Sequence, residues 1–464
     1  LIDFDRVISL AERRGADYVG VRCQDVTYEL IVVDNGVLRE YSVSERRGVG
    51  LRVVVNGCLG FAATNDVSDR SVGELVDRAV SIARAMKLAG RRVALYERKA
   101  CRGRVSSEFK VDPLDVAPEE KISVVMDAYK SGSEVEDVIS VSARLGVEHE
   151  HRTFYSNLGD QVEVTVKLIG LAVTSIARYG GVMERVGDSE SMVAGWEFID
   201  GEDWNSFARE VSELASRAVR APAIKPGEYV AVLDNDIIGI MLHEAFGHAT
   251  EGDIVEARGS VLRGRIGEQV ASPLVTIIDE GVVQGGYYVP YDDEGTPKRR
   301  VATVEKGILR TFLHSLSTAK SLNSEPTGNA RAMDYSHPIL VRQTNTFMEP
   351  GDHKVEELFE GVQRGVYIRG RGALGGQVNS TVGSFTFTAG PSYLIEKGEL
   401  KGLVRGVMLS GNILETLKSV DAVANDLKIR TNVFGGCGKM GQRVRTGLGG
   451  PHTRVRKITI SSGR

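Results

Sequence analysis

The stretch Asp234-Asn235-Asp236-Ile237-Ile238-Gly239-Ile240-Met241-Leu242-His243-Glu244-Ala245-Phe246-Gly247-His248-Ala249-Thr250-Glu251-Gly252-Asp253 joins an apolar helix to a cluster of ionisable groups. Asp234 or Asn235 can cap a helix whose first turns run through 236–242. Ile237, Ile238, Ile240, Met241, Leu242, Ala245 and Phe246 leave it little polar surface, so it must be buried. Yet His243, Glu244 and His248 lie inside it, with Glu251 and Asp253 just beyond. Buried ionisable groups are costly unless paired or metal-bound. A zinc ion accounts for the clustering: neutral imidazoles are good ligands, and a neighbouring carboxylate can serve as general base on a bound water.

The histidine spacing has a structural consequence. Histidines at i and i+4 stand about 40° apart around an ideal helix, whereas i and i+5 stand about 140° apart and do not share a face. The pair His243 and His248 therefore predicts a distortion near Phe246–Gly247, either a π-bulge or an unwinding of the last turn. The bland alternative is a buried helix with two incidental histidines. Glu251 reads either as a solvated loop residue or as a third ligand.

Outward from this segment the chain divides. Its 464 residues exceed one small core, which predicts two domains. Residues 221–227, with two prolines, read as an extended linker. The expected fold is α+β: an N-terminal α/β sandwich-like domain over 1–221, then a mainly antiparallel β C-terminal domain over 222–464 carrying one buried HExxxH helix. Amphipathic helices are expected over 4–14, 72–88, 119–129 and 204–219. Asn35-Gly36 and Asn56-Gly57 separate alternating segments and predict hairpins. Strands are expected over 138–145, 149–157, 161–177 and 229–233. In the second half Glu280-Gly281, Lys306-Gly307 and Lys397-Gly398 read as strand-joining turns. Gly outnumbers Pro 53 to 12 without low complexity, which suits many turns and strands.

Composition excludes several function classes. With 58 basic and 62 acidic residues well mixed, the net charge is −4 and no basic surface for nucleic acid or membrane is implied. Apolar runs fall short of a membrane span. No secretory leader is visible. Four cysteines (Cys23, Cys58, Cys101, Cys437) form no CxxC pair and suit a reduced, cytoplasmic setting. Cys23 and Cys58 read as small buried hydrophobes. Cys437 lies in the glycine-rich turn Gly435-Gly436-Cys437-Gly438, where a core role is a poor fit. It can be a zinc ligand or a nucleophile activated by His452. The ligand role fits better, because the two histidines lack a third.

Several motifs together resemble the TldD/PmbA family, in its TldD branch: LHEAFGHATEGD at 242–253, TGNARAMDYSHP at 327–338, NDL at 425–427, CGKMGQ at 437–442, the following GGPHTRVRKITI, and RRGVGLRVVVNGCLGFAATN at 46–65. The resemblance spans essentially the whole chain. It implies a metallopeptidase with zinc (Zn2+) on His243, His248 and Cys437, and Glu244 as general base. It implies pairing with a TldE/PmbA-like partner subunit, and unfolded or short peptides as substrates with little sequence selectivity. Such a peptide is expected to lie extended beside a strand edge. Arg331, Tyr335 and His337 are candidates to stabilise the oxyanion, although for each alone ordinary packing is the stronger reading. Competing readings are a thiol hydrolase built on Cys437, a non-enzymatic scaffold with a structural zinc, and a ligand set of His243, His248 and Glu251.

Overall fold

Two long hairpins frame the first half of the chain. The computed structural model describes residues 3–88, 90 and 92–463. After helix α1 (Phe4–Arg13), strand β1 (Tyr18–Asp34) turns at Asn35-Gly36 into β2 (Val37–Val55), which turns at Asn56-Gly57 into β3 (Cys58–Thr64). Both turns hold their two central residues at positive φ (49° and 77°, then 50° and 75°). That is the primed turn whose twist matches paired strands. Helix α2 (Asp69–Leu88), strand β4 (Arg102–Ser106) and helix α3 (Pro118–Ser133) follow. Then come β5 (Val138–Ser156), β6 (Gln161–Tyr179), β7 (Val182–Met192), the short α4 (Glu197–Asp200) and α5 (Trp204–Arg220). The seven strands form one sheet in the order β3-β2-β1-β5-β6-β4, with β7 also on β6; only the β4–β6 pairing is parallel.

The expected strands 138–145 and 149–157 are one strand. The reason lies in the two faces of the sheet. Val141, Ala143, Leu145 and Val147 of β5 pack under α3 and α5 with Ile169, Leu171 and Val173 of β6. Val19, Val21, Val49 and Leu51 pack under α1 and α2. The helices thus cover one face. The other face carries Arg22, Gln24, Glu148, Glu150 and Arg152, all buried against the second half. Charges that looked like a break in the strand are its other face.

Residues 221–226 are not a free linker. Ala223 bridges Arg405, and Ile224 is buried. Strand β8 (Gly227–Leu233) then enters a nine-stranded sheet between the C-terminal strand Thr453–Ser462 and Arg364–Ile368. A six-stranded sheet includes Ile277–Glu280, Asn345–Met348 and Gly447–Gly450. These sheets are mixed rather than purely antiparallel: β8 with Arg364–Ile368, and Asn345–Met348 with Gly447–Gly450, pair in parallel. Nor is there one helix alone, since Gly252–Glu256, Leu316–Ser321 and Ile413–Lys418 are also helical. Lys306-Gly307 and Lys397-Gly398 are hairpin turns with positive φ, whereas Glu280-Gly281 opens a long loop.

The helix of the opening stretch, α6 (Asn235–Met241), lies between these two sheets. Asp234 caps it by accepting from the Ile237 N–H at 2.9 Å. Ile237, Ile238, Met241, Leu242, Ala245 and Phe246 are each at most 2% exposed. Each large apolar side chain so placed contributes roughly 1.5–3 kcal/mol by leaving water. The helix sits very close to strand Gly447–Gly450: a Cβ on Gly239 would lie 2.7 Å from the Gly449 Cα. Among the described residues, no helix is long and apolar enough to cross a membrane.

Candidate metal centre

The helix does not continue regularly through the histidines. Leu242–Phe246 is a π turn, closed by the Gly247 N–H donating to the Leu242 carbonyl, and Gly247–Thr250 tightens into 3-10. Both expected distortions occur in succession. The wider turn brings residues five apart toward one side of the axis. The imidazoles of His243 and His248 accordingly stand 5.4 Å apart, centroid to centroid. Gly247 is needed at the junction, because a Cβ there would lie 1.9 Å from the Gln343 Oε1. Gln343 in turn donates to the His243 carbonyl at 3.0 Å and accepts from Thr346 Oγ1 at 2.8 Å.

Cys437 comes from the glycine-rich turn 189 residues beyond His248, on the short two-stranded hairpin Cys437–Lys439 and Gln442–Val444. Its Sγ lies 3.2 Å from His248 Nε2. One ligand atom from each of His243, His248 and Cys437 can be chosen so that all lie within 4.8 Å of one another, and all three residues are buried. Ligand atoms of a tetrahedral zinc stand about 3.5 Å apart, given bonds of about 2.0–2.3 Å. The Cys437–His248 pair already has about that spacing, and a donor of His243 lies within 4.8 Å of both. Two further observations fit a metal. The buried His243 Nδ1 has no hydrogen-bond partner among the described residues. Burial pushes the Cys437 thiol up, but the two imidazoles outweigh it and bring its pKa down to about 5. Two imidazoles and a thiolate suit a borderline-soft divalent ion.

Glu251 is neither solvated nor beside the thiol. Fully buried, it accepts from or pairs with His248 Nδ1 at 3.0 Å, on the ring edge away from Cys437. Lys439 Nζ donates to it at 2.9 Å and the Gln343 N–H at 3.3 Å. Burial raises its pKa, but His248, Lys439 and Arg342 lower it further, to about 2. A fixed carboxylate on Nδ1 leaves Nε2 to face the thiolate, the arrangement that orients a metal-binding histidine. Lys439 also holds Asp253 at 2.6 Å, and Arg342 donates to the Cys437 carbonyl at 2.6 Å. Sequence reasoning missed Gln343, Lys439 and Arg342. The signal for Lys439 was its place two residues after Cys437; Gln343 and Arg342 gave none.

Glu244 differs from its neighbours. Its side chain is 41% exposed, with Oε2 3.7 Å from His248 Nε2. It faces a cleft of about 380 Å³ that His243 and Cys437 also line. Across the cleft stands the charged face of the N-terminal sheet, through Arg144, Thr174 and Arg185. The other expected residues lie elsewhere. His452 is held by Tyr367 Oη at 2.9 Å and Asp426 Oδ2 at 2.6 Å, so both its nitrogens are engaged away from Cys437. Arg331 is buried, donates to the Gln343 carbonyl, and lines a different cavity beside Tyr287. Tyr335 covers Gly48 and Gly50, and His337 pairs with Asp334 at 2.7 Å. None of these three lines the cleft of Glu244. Tyr335 and, through its carbonyl, His337 join the two halves of the chain instead.

The comparisons with known proteins cover the same ground. A family described as PmbA/TldA metallopeptidase C-terminal domain matches residues 226–462. The corresponding domain 1 matches 19–83 and the central domain 111–219. A metalloprotease of Methanothermobacter thermautotrophicus is 34% identical, covering 96% of this chain and 95% of its own. A zinc metalloprotease TldD homolog of Saccharolobus solfataricus is 28% identical, covering 98% and 99%. A solved Thermotoga maritima protein, described as a candidate modulator of a DNA gyrase, shares the fold with TM-score 0.81 and 23% identity over 98% of this chain and 99% of its own. TldE of Thermococcus kodakarensis does so with TM-score 0.78 and 20% identity, covering 99% of each chain. The chain belongs to the PmbA/TldD metallopeptidase family.

Proposed function

We propose that this metalloprotease is a zinc-dependent peptidase acting on unfolded or short peptides with low sequence selectivity, as the TldD-like catalytic subunit. The observation that carries the reading is the meeting of His243, His248 and Cys437 beside a cleft into which Glu244 is exposed. His243, His248 and Cys437 would hold the metal. Zinc bound there supplies Lewis-acid polarisation of the scissile carbonyl and a water of near-neutral pKa. Glu244 takes a proton from the attacking water at a carboxylate oxygen and delivers it to the leaving nitrogen. Glu251 and Lys439 keep His248 in one orientation throughout. The Saccharolobus relative is described as a zinc metalloprotease, and the donor chemistry supports the same ion here.

The thiol-hydrolase alternative lacks the base expected for it, since His452 serves Tyr367 and Asp426. Residues 1–221 and 222–464 are proposed as the two folding units, with the cleft between them. A TldE-type subunit is the proposed partner. The exposed apolar residues Val37, Leu38, Tyr41 and Val43 on β2 support a protein surface there, and the shared fold with TldE supports a paired assembly. The test is zinc content together with cleavage of an unfolded protein such as reduced casein, with and without a co-expressed partner. Chelation should abolish cleavage, and zinc should restore it. Full activity in metal-free protein would overturn the reading.

A further inference from the structure

The wall of the cleft opposite Glu244 is not a generic charged surface. Cross-strand partners place Arg144 beside Ala172, Ala172 beside Ser189, Thr174 beside Gly187, and Ile176 beside Arg185. Partners in a ladder share a face. Ala172, Thr174, Gly187 and Ser189 therefore form a floor of small side chains, with Arg144 and Arg185 at opposite corners. All six line the same cleft as His243, Glu244 and Cys437.

The charges along this wall divide into two kinds. Arg430 is spent within the protein: it pairs with Asp236 at 3.2 Å, Asp188 at 3.4 Å and Glu190 at 3.0 Å. Asp188 is further held by Arg371 at 2.6 Å. Arg144 and Arg185 have no acidic partner among the described residues. Arg144 rests only on an aromatic ring, its guanidinium 4.6 Å from the Phe434 centroid. Burial lowers its pKa, Tyr28 opposes that, and the field of Arg185 lowers it further, so the two cations feel each other. Two unpaired guanidinium groups facing an open, small-residue floor form a receptor for an anion with planar oxygens.

We infer that Arg144 and Arg185 form a carboxylate subsite of the cleft, so that peptides presenting a carboxylate near the scissile bond are the favoured substrates. This rests on the peptidase reading of Glu244. The carboxylate can come from the chain terminus or from a Glu or Asp side chain. A terminal source makes the enzyme cut close to the C-terminal end, and the small floor gives the last residue room.

The test uses one short peptide as free acid and as C-terminal amide, and a second pair differing by an internal Glu or Gln. On the metal-loaded parent protein, kcat/KM is expected to favour a carboxylate-bearing member by about tenfold or more, mostly through KM. In the Arg144→Met/Arg185→Met protein that ratio should fall to about one. Arg144→Lys/Arg185→Lys should keep part of it. Zinc content equal to the parent's reports that each variant is folded at the metal site; single Arg185→Met, on an exposed strand position, is the second variant. A preference carried by the free-acid pair names the terminus as source, and one carried by the Glu/Gln pair names the side chain; either supports the subsite if the Met variant loses it. Equal rates within both pairs on the parent, or a preference that survives both Met substitutions, overturns it. Glu244→Gln separates this from the underlying reading: if that variant cleaves either peptide at close to the parent's rate, the proposed chemistry fails, whatever the arginines do.

Discussion

The two halves of the molecule are built on opposite principles. The N-terminal half is regular: four strands of 17 to 19 residues dominate its sheet, with helices over one face. Its apolar and polar residues alternate cleanly, and its helix-covered face is a continuous core. The C-terminal half is irregular: short strands, long loops, a helix that passes from α to π to 3-10, and buried polar residues. Arg342, Gln343, Thr344, Asn345 and Thr346 are consecutive and almost fully buried. The difference teaches a division of labour. The regular half supplies stability and one wall of the cleft; the irregular half positions the donor atoms. The two meet through ion pairs with direction: Arg22 with Asp293 at 3.2 Å, Arg152 with Asp293 at 3.4 Å, Arg52 with Glu294, and Arg445 with Glu148 at 2.6 Å. Buried pairs are poor sources of net stability but penalise any wrong docking, and so fix where the walls face each other.

That contrast can be broken by perturbing each half and reading both stability and chemistry. The largest effect is expected from Glu244→Gln. Loss of the general base should lower kcat by about 10²–10⁴-fold while zinc content and melting temperature hold. Loss of zinc in this variant would make Glu244 a structural residue and blur the division. The opposite signature is expected from Leu171→Ala, in the core beneath α3 and α5. It should cost about 2–5 kcal/mol in denaturant unfolding and leave zinc affinity unchanged. A fall in zinc affinity there would mean that the two halves are not energetically separable.

Much of this contrast was legible in the sequence, and what was not has physical causes. The Asn-Gly turns needed only local backbone geometry, and so the first hairpins were readable. The histidine spacing implied the helix distortion through geometry alone. Cys437 was readable because a lone cysteine among three glycines is a poor core residue. Pairing across the sheet was not readable, since the charges of β5 face a surface supplied by residues near 290 and 445. The same gap hid Glu251, whose partners Lys439 and Gln343 are distant in sequence. It also made the TGNARAMDYSHP segment look catalytic. Arg22 donates to the carbonyls of Asp334 and His337, and Tyr335 covers two glycines of β2, so this segment joins the halves.

Smaller effects sharpen the picture within the site. Glu251→Gln should weaken zinc binding by about 10–100-fold in chelator competition, because His248 loses the anion that orients it. Unchanged affinity would reduce Glu251 to a partner of Lys439. In chelator-stripped protein, iodoacetamide should report the lowered thiol pKa. The thiolate is the reactive form, so a lowered pKa means alkylation already at its plateau at pH 7, falling by half near pH 5. A midpoint near 9 would show that the imidazoles do not hold the thiolate.

The most direct measurement of the central claim is zinc stoichiometry with X-ray absorption at the zinc edge, on the parent and on Cys437→Ala. The parent should carry one zinc per chain with two imidazole nitrogens and one sulfur in its coordination. Cys437→Ala should lose the sulfur and most of the metal. A fully occupied Cys437→Ala protein, or a parent spectrum without sulfur, would contradict the assignment of the site to His243, His248 and Cys437.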